Sequence, residues 1–199
     1  PSPDLPVIVF SLIILNEILS GNKNVPFLFA ISALVFAIKP TMIWLPLFVI
    51  FYGFFYLKMN LKFLIAGSFV FLLFIAKNLW CFGYPVFPVQ VGDVGISWKP
   101  NPELMKISSQ TAIEKTFDMQ YKYSEIQQFS IFDYIKNWLF LKGIKSKIHL
   151  LFLLSLLVFT VFVFIKKNKI LTFLLISIII KSILVLLFSA QYRFFIDVF

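Results

Sequence analysis

The chain has few of the residues from which soluble catalytic sites and metal sites are built. It contains one cysteine and one histidine, Cys81 and His149, so it can form neither an internal disulfide nor a metal cage of cysteines and histidines. It also lacks a D-x-D pair, a phosphate-binding G-x-x-x-x-G-K-[ST] loop, a G-x-G-x-x-G fingerprint and a G-x-S-x-G elbow. The usual chemistry of soluble nucleotide donors therefore has no visible place here, and we expect no cofactor and no metal.

Charged residues are also scarce. They make up 14% of the chain, whereas hydrophobic residues make up 60% and include 27 phenylalanines. Soluble domains are typically about 25% charged and about 45–50% apolar, and a chain of this size could not bury so much apolar surface in one core. The composition therefore predicts a protein whose solvent is the lipid bilayer.

The hydrophobic residues form segments that are separated by polar residues. These segments are 5–19, 26–38, 42–57, 61–76, 148–165 and 170–190. A straight membrane helix needs about 20 apolar residues, so the last two segments fit, and we expect the shorter ones to be tilted, broken or partly buried. We predict an all-α fold, a polytopic bundle of about five or six membrane helices.

Lysines at the segment ends predict how this bundle lies in the membrane. The net charge of +9 would suggest nucleic-acid binding in a soluble domain, but many of the lysines flank apolar segments, so we expect no nucleic-acid partner. Lys58, Lys62 and the tetrad KKNK at 166–169 predict cytoplasmic loops. The predicted domains are membrane helices 1–89, an extracytoplasmic loop 90–147 and membrane helices 148–199.

Three cations lie where the positive-inside rule predicts few. Lys39, Lys77 and Arg193 all fall at the outer ends of predicted spans. Arg193 is the only arginine among 18 basic residues, and its planar guanidinium suits a phosphate or a carboxylate. The three side chains either converge as a clamp for one phosphate group or reach separately to lipid phosphates.

Aromatic residues and prolines cluster in AKNLWCFGYPVFPVQ, residues 76–90. Rings at headgroup depth are typical of the aromatic belt of a membrane protein, and Gly83 and Pro85 are expected to end the preceding helix. In a second interpretation, Trp80 and Tyr84 form an aromatic wall for a prenyl chain or a sugar.

Three acidic or basic residues of the apolar segments each have two interpretations. Asp4 is either a helix cap or a carboxylate that faces a site. Lys181 lies midway along its segment, where an ionisable group costs several kcal/mol. It either pairs with Glu17 in a structural contact or lines a functional route through the membrane.

The outer stretch contains signals for helices. NPELMKI at 101–107 predicts a helix that Asn101 caps, and SIFDYIKNWLFLKGIKSKI at 130–148 opens with a weak capping box of Ser130 and Asp133. One face of this second helix is apolar and consists of Phe132, Ile135 and Leu139. The helix either lies in the headgroup plane or packs against the spans.

Four stretches together resemble a known group of proteins. They are SPDLPVIVFSLIIL, ALVFAIKPTMIWLPLFVI, AKNLWCFGYPVFP and SAQYRFFIDVF. This combination resembles a large group of bacterial polytopic membrane proteins that is distantly related to the GT-C glycosyltransferases, such as protein mannosyltransferases and lipid A aminoarabinose transferases. The matching positions are Asp4, Lys39 with Pro40, Asn78, the segment 83–88, and Arg193 with Phe194.

The resemblance implies an activity. GT-C enzymes transfer a sugar from a polyprenyl-phosphate or polyprenyl-diphosphate lipid to an acceptor on the outer side of the membrane. Their catalytic aspartate usually lies in the first outer loop. Because this chain starts without methionine and ends inside an apolar run, we expect it to be an internal piece that begins after that loop.

We therefore expect a GT-C-type glycosyltransferase of the bacterial cytoplasmic membrane, acting in cell-envelope polysaccharide or glycolipid synthesis. The expected partners are the lipid bilayer and a polyprenyl-phosphate-linked sugar. The expected site residues are Asp4 as a carboxylate, with Lys39, Lys77, Asn78, Trp80, Tyr84 and Arg193 binding substrate. The alternative is a non-enzymatic multi-pass protein, a transporter or an assembly factor for surface polymers, in which Lys181 and Glu17 line a route through the bilayer.

Overall fold

A computed structural model describes residues 4–87, 91–188 and 191 of the chain. All regular elements in these residues are helices, which confirms the all-α prediction. The helices are α1 (Asp4–Leu19), α2 (Val25–Ile38), α3 (Trp44–Phe51), α4 (Ile65–Phe82), α5 (Pro102–Thr116), α6 (Tyr123–Ile126), α7 (Ile131–Leu139), α8 (Ile144–Lys166) and α9 (Lys169–Phe188). Short 3₁₀ turns precede α3 and α4, and a π-helical turn, Tyr52–Tyr56, extends α3.

Three helices in the described residues are long and apolar enough to cross a membrane, which indicates a membrane protein. They are Leu61–Phe82, Ile144–Lys166 and Lys169–Leu186. This is fewer than the five or six that we predicted, because the first three apolar segments form shorter helices. The 14 residues of α2, for example, extend only about 21 Å, against about 30 Å of hydrocarbon in a bilayer.

The fourth apolar segment forms a helix that is longer than the apolar run itself. The run ends at Ala76, but α4 continues to Phe82 because no helix-breaking residue comes earlier. Gly83 then ends it in the left-handed conformation, with φ at 76°, and donates its N–H to the Leu79 carbonyl at 3.0 Å. Gly83 is therefore confirmed as the residue that ends this helix. Lys77 lies on the last turns of the helix rather than in a loop.

The chain divides into two compact units. The first is formed by residues 1–100 with 168–177, and the second by residues 101–167 with 178–199, in each case through their described parts.

In the first unit, α2 and α4 form the main helix pair and run parallel. Phe29 of α2 lies against Gly67 of α4, and further along both helices Phe36 packs on Phe74, with ring centroids 5.5 Å apart. Because the contacts follow the same order along both helices, their C-terminal ends lie at the same end of the unit. This parallel arrangement agrees with an alternating passage of successive segments.

The opposite end of the first unit is held by polar contacts. The hydroxyl of Tyr52, at the end of the α3 segment, donates to the carbonyl of Asn22, just before α2, at 3.0 Å. The side chain of Asn22 in turn donates to the Glu17 carboxylate. The start of α2 and the end of α3 therefore meet, so α3 runs antiparallel to α2.

The second unit has its own core. Its buried residues are Phe117, Ile126, Trp138, Leu141, Phe152 and Val185. Phe117 is fully buried at the end of α5, and the rings of Phe129 and Tyr134 meet it edge to face, with centroids 5.6 Å and 4.9 Å away. Burial of the Tyr134 hydroxyl raises the pKa of this side chain above its ordinary value.

The predicted helix caps in the second unit are confirmed. The side chain of Asn101 accepts the Glu103 N–H at 2.8 Å at the start of α5. At the start of α7, the Ser130 hydroxyl accepts the Asp133 N–H at 3.1 Å, and the Asp133 carboxylate accepts the Ser130 N–H at 3.3 Å. Such local signals act within one helical turn, so they can be identified in the sequence.

Candidate functional site

Two of the three cations that were predicted at the outer face lie at the same end of the first unit. Lys39 directly follows α2, and Lys77 lies on the last turns of α4. Because α2 and α4 are parallel and Phe36 packs on Phe74, the two lysines occupy matching positions beyond this contact. Lys77 is exposed and Lys39 is half-buried. Arg193, the third cation, lies outside the described residues.

The backbone at Lys39 forms a break between α2 and α3. Lys39 has an extended conformation, with φ at −141° and ψ at 97°, which is the conformation that a following proline favours. Its N–H still bonds to the Val35 carbonyl at 2.9 Å, and its carbonyl accepts the Met42 N–H at 2.9 Å. The lysine is therefore held at a tight corner where the chain reverses.

Two polar groups at this corner are buried without hydrogen bonds to the described residues. They are the hydroxyl of Thr41 and the indole N–H of Trp44, a residue that is 1% exposed. A buried polar group without a partner costs about 1–3 kcal/mol, and native structures keep few of them. Sequence patterns did not single out Thr41 or Trp44, although the run KPTMIW places both within one and a half turns of Lys39.

Asn78 has a structural contact. It is 3% exposed, and its side-chain N–H donates to the Pro85 carbonyl at 3.2 Å. This bond ties the turn that follows Gly83 to the last turns of α4. The residue was predicted to bind substrate, and its contact shows how the end of α4 is joined to the next segment.

The two aromatic residues predicted to form one wall differ in environment. Tyr84 is 3% exposed, whereas Trp80 is 76% exposed. The ring beside Trp80 is that of Trp98, with centroids 6.4 Å apart, and the Trp98 indole N–H donates to the Trp80 carbonyl at 3.0 Å. Trp98 is a residue that the sequence pattern did not single out.

The segment around Trp98 folds back onto the end of α4. The N–H of Val94 donates to the Gly83 carbonyl at 3.1 Å. Asp93 accepts hydrogen bonds from the Lys99 ammonium group and, at 2.8 Å, from the Gly95 N–H. The hydrogen bond with Lys99 lowers the pKa of Asp93 below its usual value and raises the pKa of Lys99. This loop therefore adds one cation, Lys99, to the lysine-rich end of the unit, and Asp93 balances its charge.

The remaining predicted ionisable residues are placed as follows. Asp4 is the first residue of α1, and its role stays a prediction. Glu17 accepts a hydrogen bond from Asn22, and Lys181 is completely buried in α9. Because Glu17 and Lys181 belong to different units, their pairing stays a prediction.

The described residues contain no visible set of metal ligands. No group of three or more histidine, cysteine, aspartate or glutamate side chains converges in this part of the chain. The single histidine, His149, is 2% exposed and stacks on Trp138, with ring centroids 4.0 Å apart. We predicted an interfacial residue rather than a ligand, and His149 lies near the start of the candidate membrane span α8.

The chain belongs to a family described as a domain of unknown function, DUF8201, whose model matches residues 1–199. No curated protein and no solved structure shows significant similarity to it.

Proposed function

We propose that this member of the DUF8201 family is part of a GT-C-type membrane glycosyltransferase that takes its sugar from a polyprenyl-phosphate lipid. The observation that supports the proposal is the position of Lys39 and Lys77: Lys39 directly follows α2 and Lys77 lies on the last turns of the parallel helix α4, at one end of the first unit. The donor phosphate of such a lipid lies at headgroup depth, and a pair of ammonium groups at that depth would bind it.

Sugar transfer from a polyprenyl-phosphate donor requires stabilisation of the phosphate leaving group. When the bond between the sugar and the phosphate breaks, negative charge develops on the phosphate oxygens, and positive groups aimed at them lower the barrier. In the proposal, Lys39 and Lys77 supply this charge, and the unpartnered hydroxyl of Thr41 and indole N–H of Trp44 donate hydrogen bonds to the same head group. Arg193 would complete the clamp from the C-terminal segment.

Other parts of the proposal concern the protein as a whole. Asp4 would be a carboxylate near the site. The three shorter apolar helices would enter the bilayer tilted or buried against the spans, giving about six membrane segments. The acceptor would be a cell-envelope polysaccharide or glycolipid on the outer face of the bacterial cytoplasmic membrane.

The proposal can be tested with single substitutions in the full-length protein. Lys39→Gln and Lys77→Gln should each lower the rate of sugar transfer from a polyprenyl-phosphate donor at least about tenfold, because a hydrogen bond to a charged group is worth about 1.5–3 kcal/mol. The matched control is Lys106→Gln, an exposed lysine on α5, which should keep the wild-type rate. Unchanged transfer in both site variants would contradict the clamp.

A second function, transport of an anionic lipid or polymer, is favoured by one observation. Lys181 is 0% exposed within the span α9, and ionisable groups at such depth often line a route for a substrate. Lys181→Met should abolish flux in proteoliposomes if the protein is a carrier, and should leave sugar transfer intact if it is a transferase. Retention of the wild-type melting temperature would show that the variant is folded.

A further inference from the structure

The core of the second unit covers only part of the apolar face of the amphipathic helix α7. Trp138 is 3% exposed and Tyr134 packs on Phe117, so this side of the helix belongs to the second unit's core. The adjacent side carries three large apolar residues that remain open: Ile131 is 82% exposed, Phe132 73% and Ile135 42%. At helical spacing these three residues share one face of about 100°.

The C-terminal end of α7 is fixed to a candidate membrane span. The ring of Trp138 stacks on that of His149, and the His149 Nδ1 atom lies 2.8 Å from the Trp138 carbonyl oxygen. Because a carbonyl only accepts, Nδ1 carries the proton and donates. This joint ties α7 to the second turn of α8, the span Ile144–Lys166.

The joint also gives the depth of α7 relative to a bilayer. The 23 residues of α8 extend about 35 Å, slightly more than the hydrocarbon thickness of about 30 Å. His149 lies less than about 10 Å from the start of α8, so in a bilayer that α8 crosses it would fall close to the boundary between headgroups and hydrocarbon. The end of α7 would therefore lie at that boundary too.

The residues between α7 and α8 continue the same pattern. Phe140 is 78% exposed and Ile144 is 72% exposed, so the apolar surface of α7 runs on into the outer surface of the span. Basic residues accompany it: Lys136, Lys142, Lys145 and Lys147. Asp133 is the only acidic residue from 131 to 147, and Lys145 is paired with Asp118. Lysines beside an apolar face favour a surface of anionic lipid.

We infer that α7 is an interfacial helix whose face of Ile131, Phe132 and Ile135 inserts into the lipid surface beside α8. Lys136, Lys142 and Lys147, the lysines around it apart from Lys145, contact anionic headgroups. The occupant of this exposed face is thus phospholipid, and α7 fastens the segment α5–α7 to the membrane surface independently of any transferase activity.

Fluorescence depth measurements on the full-length protein test this inference. An environment-sensitive fluorophore is attached at Phe132→Cys in a Cys81→Ser background, and the protein is reconstituted into vesicles of phosphatidylcholine and phosphatidylglycerol. The fluorophore should be quenched by lipids that carry a nitroxide near the top of the acyl chain and protected from aqueous iodide. The matched control is Asn137→Cys on the polar side of the same helix, which should show the reverse preference.

Two results would overturn the inference. Strong iodide quenching at position 132 would show that the face lies in water, and protection from both quenchers would show that protein covers it. For the lipid charge, omission of phosphatidylglycerol should increase quenching at position 132 by acrylamide, an uncharged aqueous quencher, at least about twofold, because a few interfacial lysines lose their anionic partners. Equal quenching in both vesicle types would rule out the preference for anionic lipid.

Discussion

At the scale of single residues, Gly67 determines how closely α2 and α4 approach. A Cβ atom at this position would lie 2.2 Å from the Phe29 ring, which is itself 3% exposed and packed on Phe71 with centroids 6.1 Å apart. The ring cannot move aside without disturbing its neighbours. The absence of a side chain at one position therefore sets the alignment of the two helices and, through it, the positions of Lys39 and Lys77.

Two opposing effects decide the outcome of Gly67→Ala. Alanine is the better helix former by about 1 kcal/mol, whereas overpacking a filled contact costs about 1–3 kcal/mol. Because the overlap with the Phe29 ring is severe, we expect a net loss of stability, seen as a lower melting temperature of the detergent-solubilised protein.

The neighbouring Ser68 provides the control for this prediction. Ser68 is exposed on the same helix turn, so Ser68→Ala should leave the melting temperature almost unchanged. Adding Phe29→Leu to Gly67→Ala should recover part of the loss by making room for the methyl group. A melting temperature of Gly67→Ala at or above the wild-type value would show that the close approach is absent.

At the scale of structural elements, the loop that covers the end of α4 contains an ion pair of Asp93 and Lys99. The pKa of Asp93 is lowered in the folded chain by its hydrogen bonds from Lys99 and Gly95. The ion pair therefore contributes its full stabilisation above the ordinary aspartate pKa of about 3.9, and loses it as the pH falls through the lowered value. We expect the loop of residues 91–99 to open in acid while α4 remains helical.

Hydrogen–deuterium exchange checks this pH dependence. After correction for intrinsic exchange rates, peptides covering residues 91–99 should exchange faster at about pH 2 than at about pH 6, because the lower pH lies well below the ordinary aspartate pKa of about 3.9. Asp93→Asn should exchange fast at both pH values, because it lacks the charge that holds Lys99. A wild-type loop that is equally protected at both pH values would contradict the assignment.

The helix starts and ends also show which structural features a local sequence pattern can predict. Asn101 and Ser130 were identified as caps because a cap and its target lie within one turn. The end of α4 was likewise predicted at Gly83, although the apolar run itself stops at the first charged residue, Lys77. A single lysine does not end a helix, whereas Gly83, with its positive φ, does.

At the scale of the whole molecule, the arrangement across the membrane is the prediction on which the proposed function depends. The segment 78–147 should lie outside the cell, and the loops that contain Lys62 and Lys167 should lie in the cytoplasm, because lysine-rich short loops stay inside. In a Cys81→Ser background, Ser109→Cys should react with a membrane-impermeant maleimide in intact cells.

Lys62→Cys is the counterpart on the other side of the membrane. Both positions are exposed, so a difference in labelling reports the compartment rather than burial. Lys62→Cys should react only after the cells are opened. If Ser109→Cys requires opened cells, the predicted orientation is inverted and the outer-face transferase is excluded.

The sequence by itself indicated that the protein lies in a lipid bilayer, and it determined the all-α class, the helix caps and the apolar face of α7. Each of these depends on composition or on residues within one or two turns, where solvent preference and local hydrogen bonds dominate. Only the tertiary structure decided that α2 and α4 are parallel and in contact at Phe36 and Phe74, and that polar groups of Thr41 and Trp44 are buried beside Lys39. Those features arise from contacts between residues far apart in the chain, and whether a polar group is satisfied depends on which distant atoms packing brings to it.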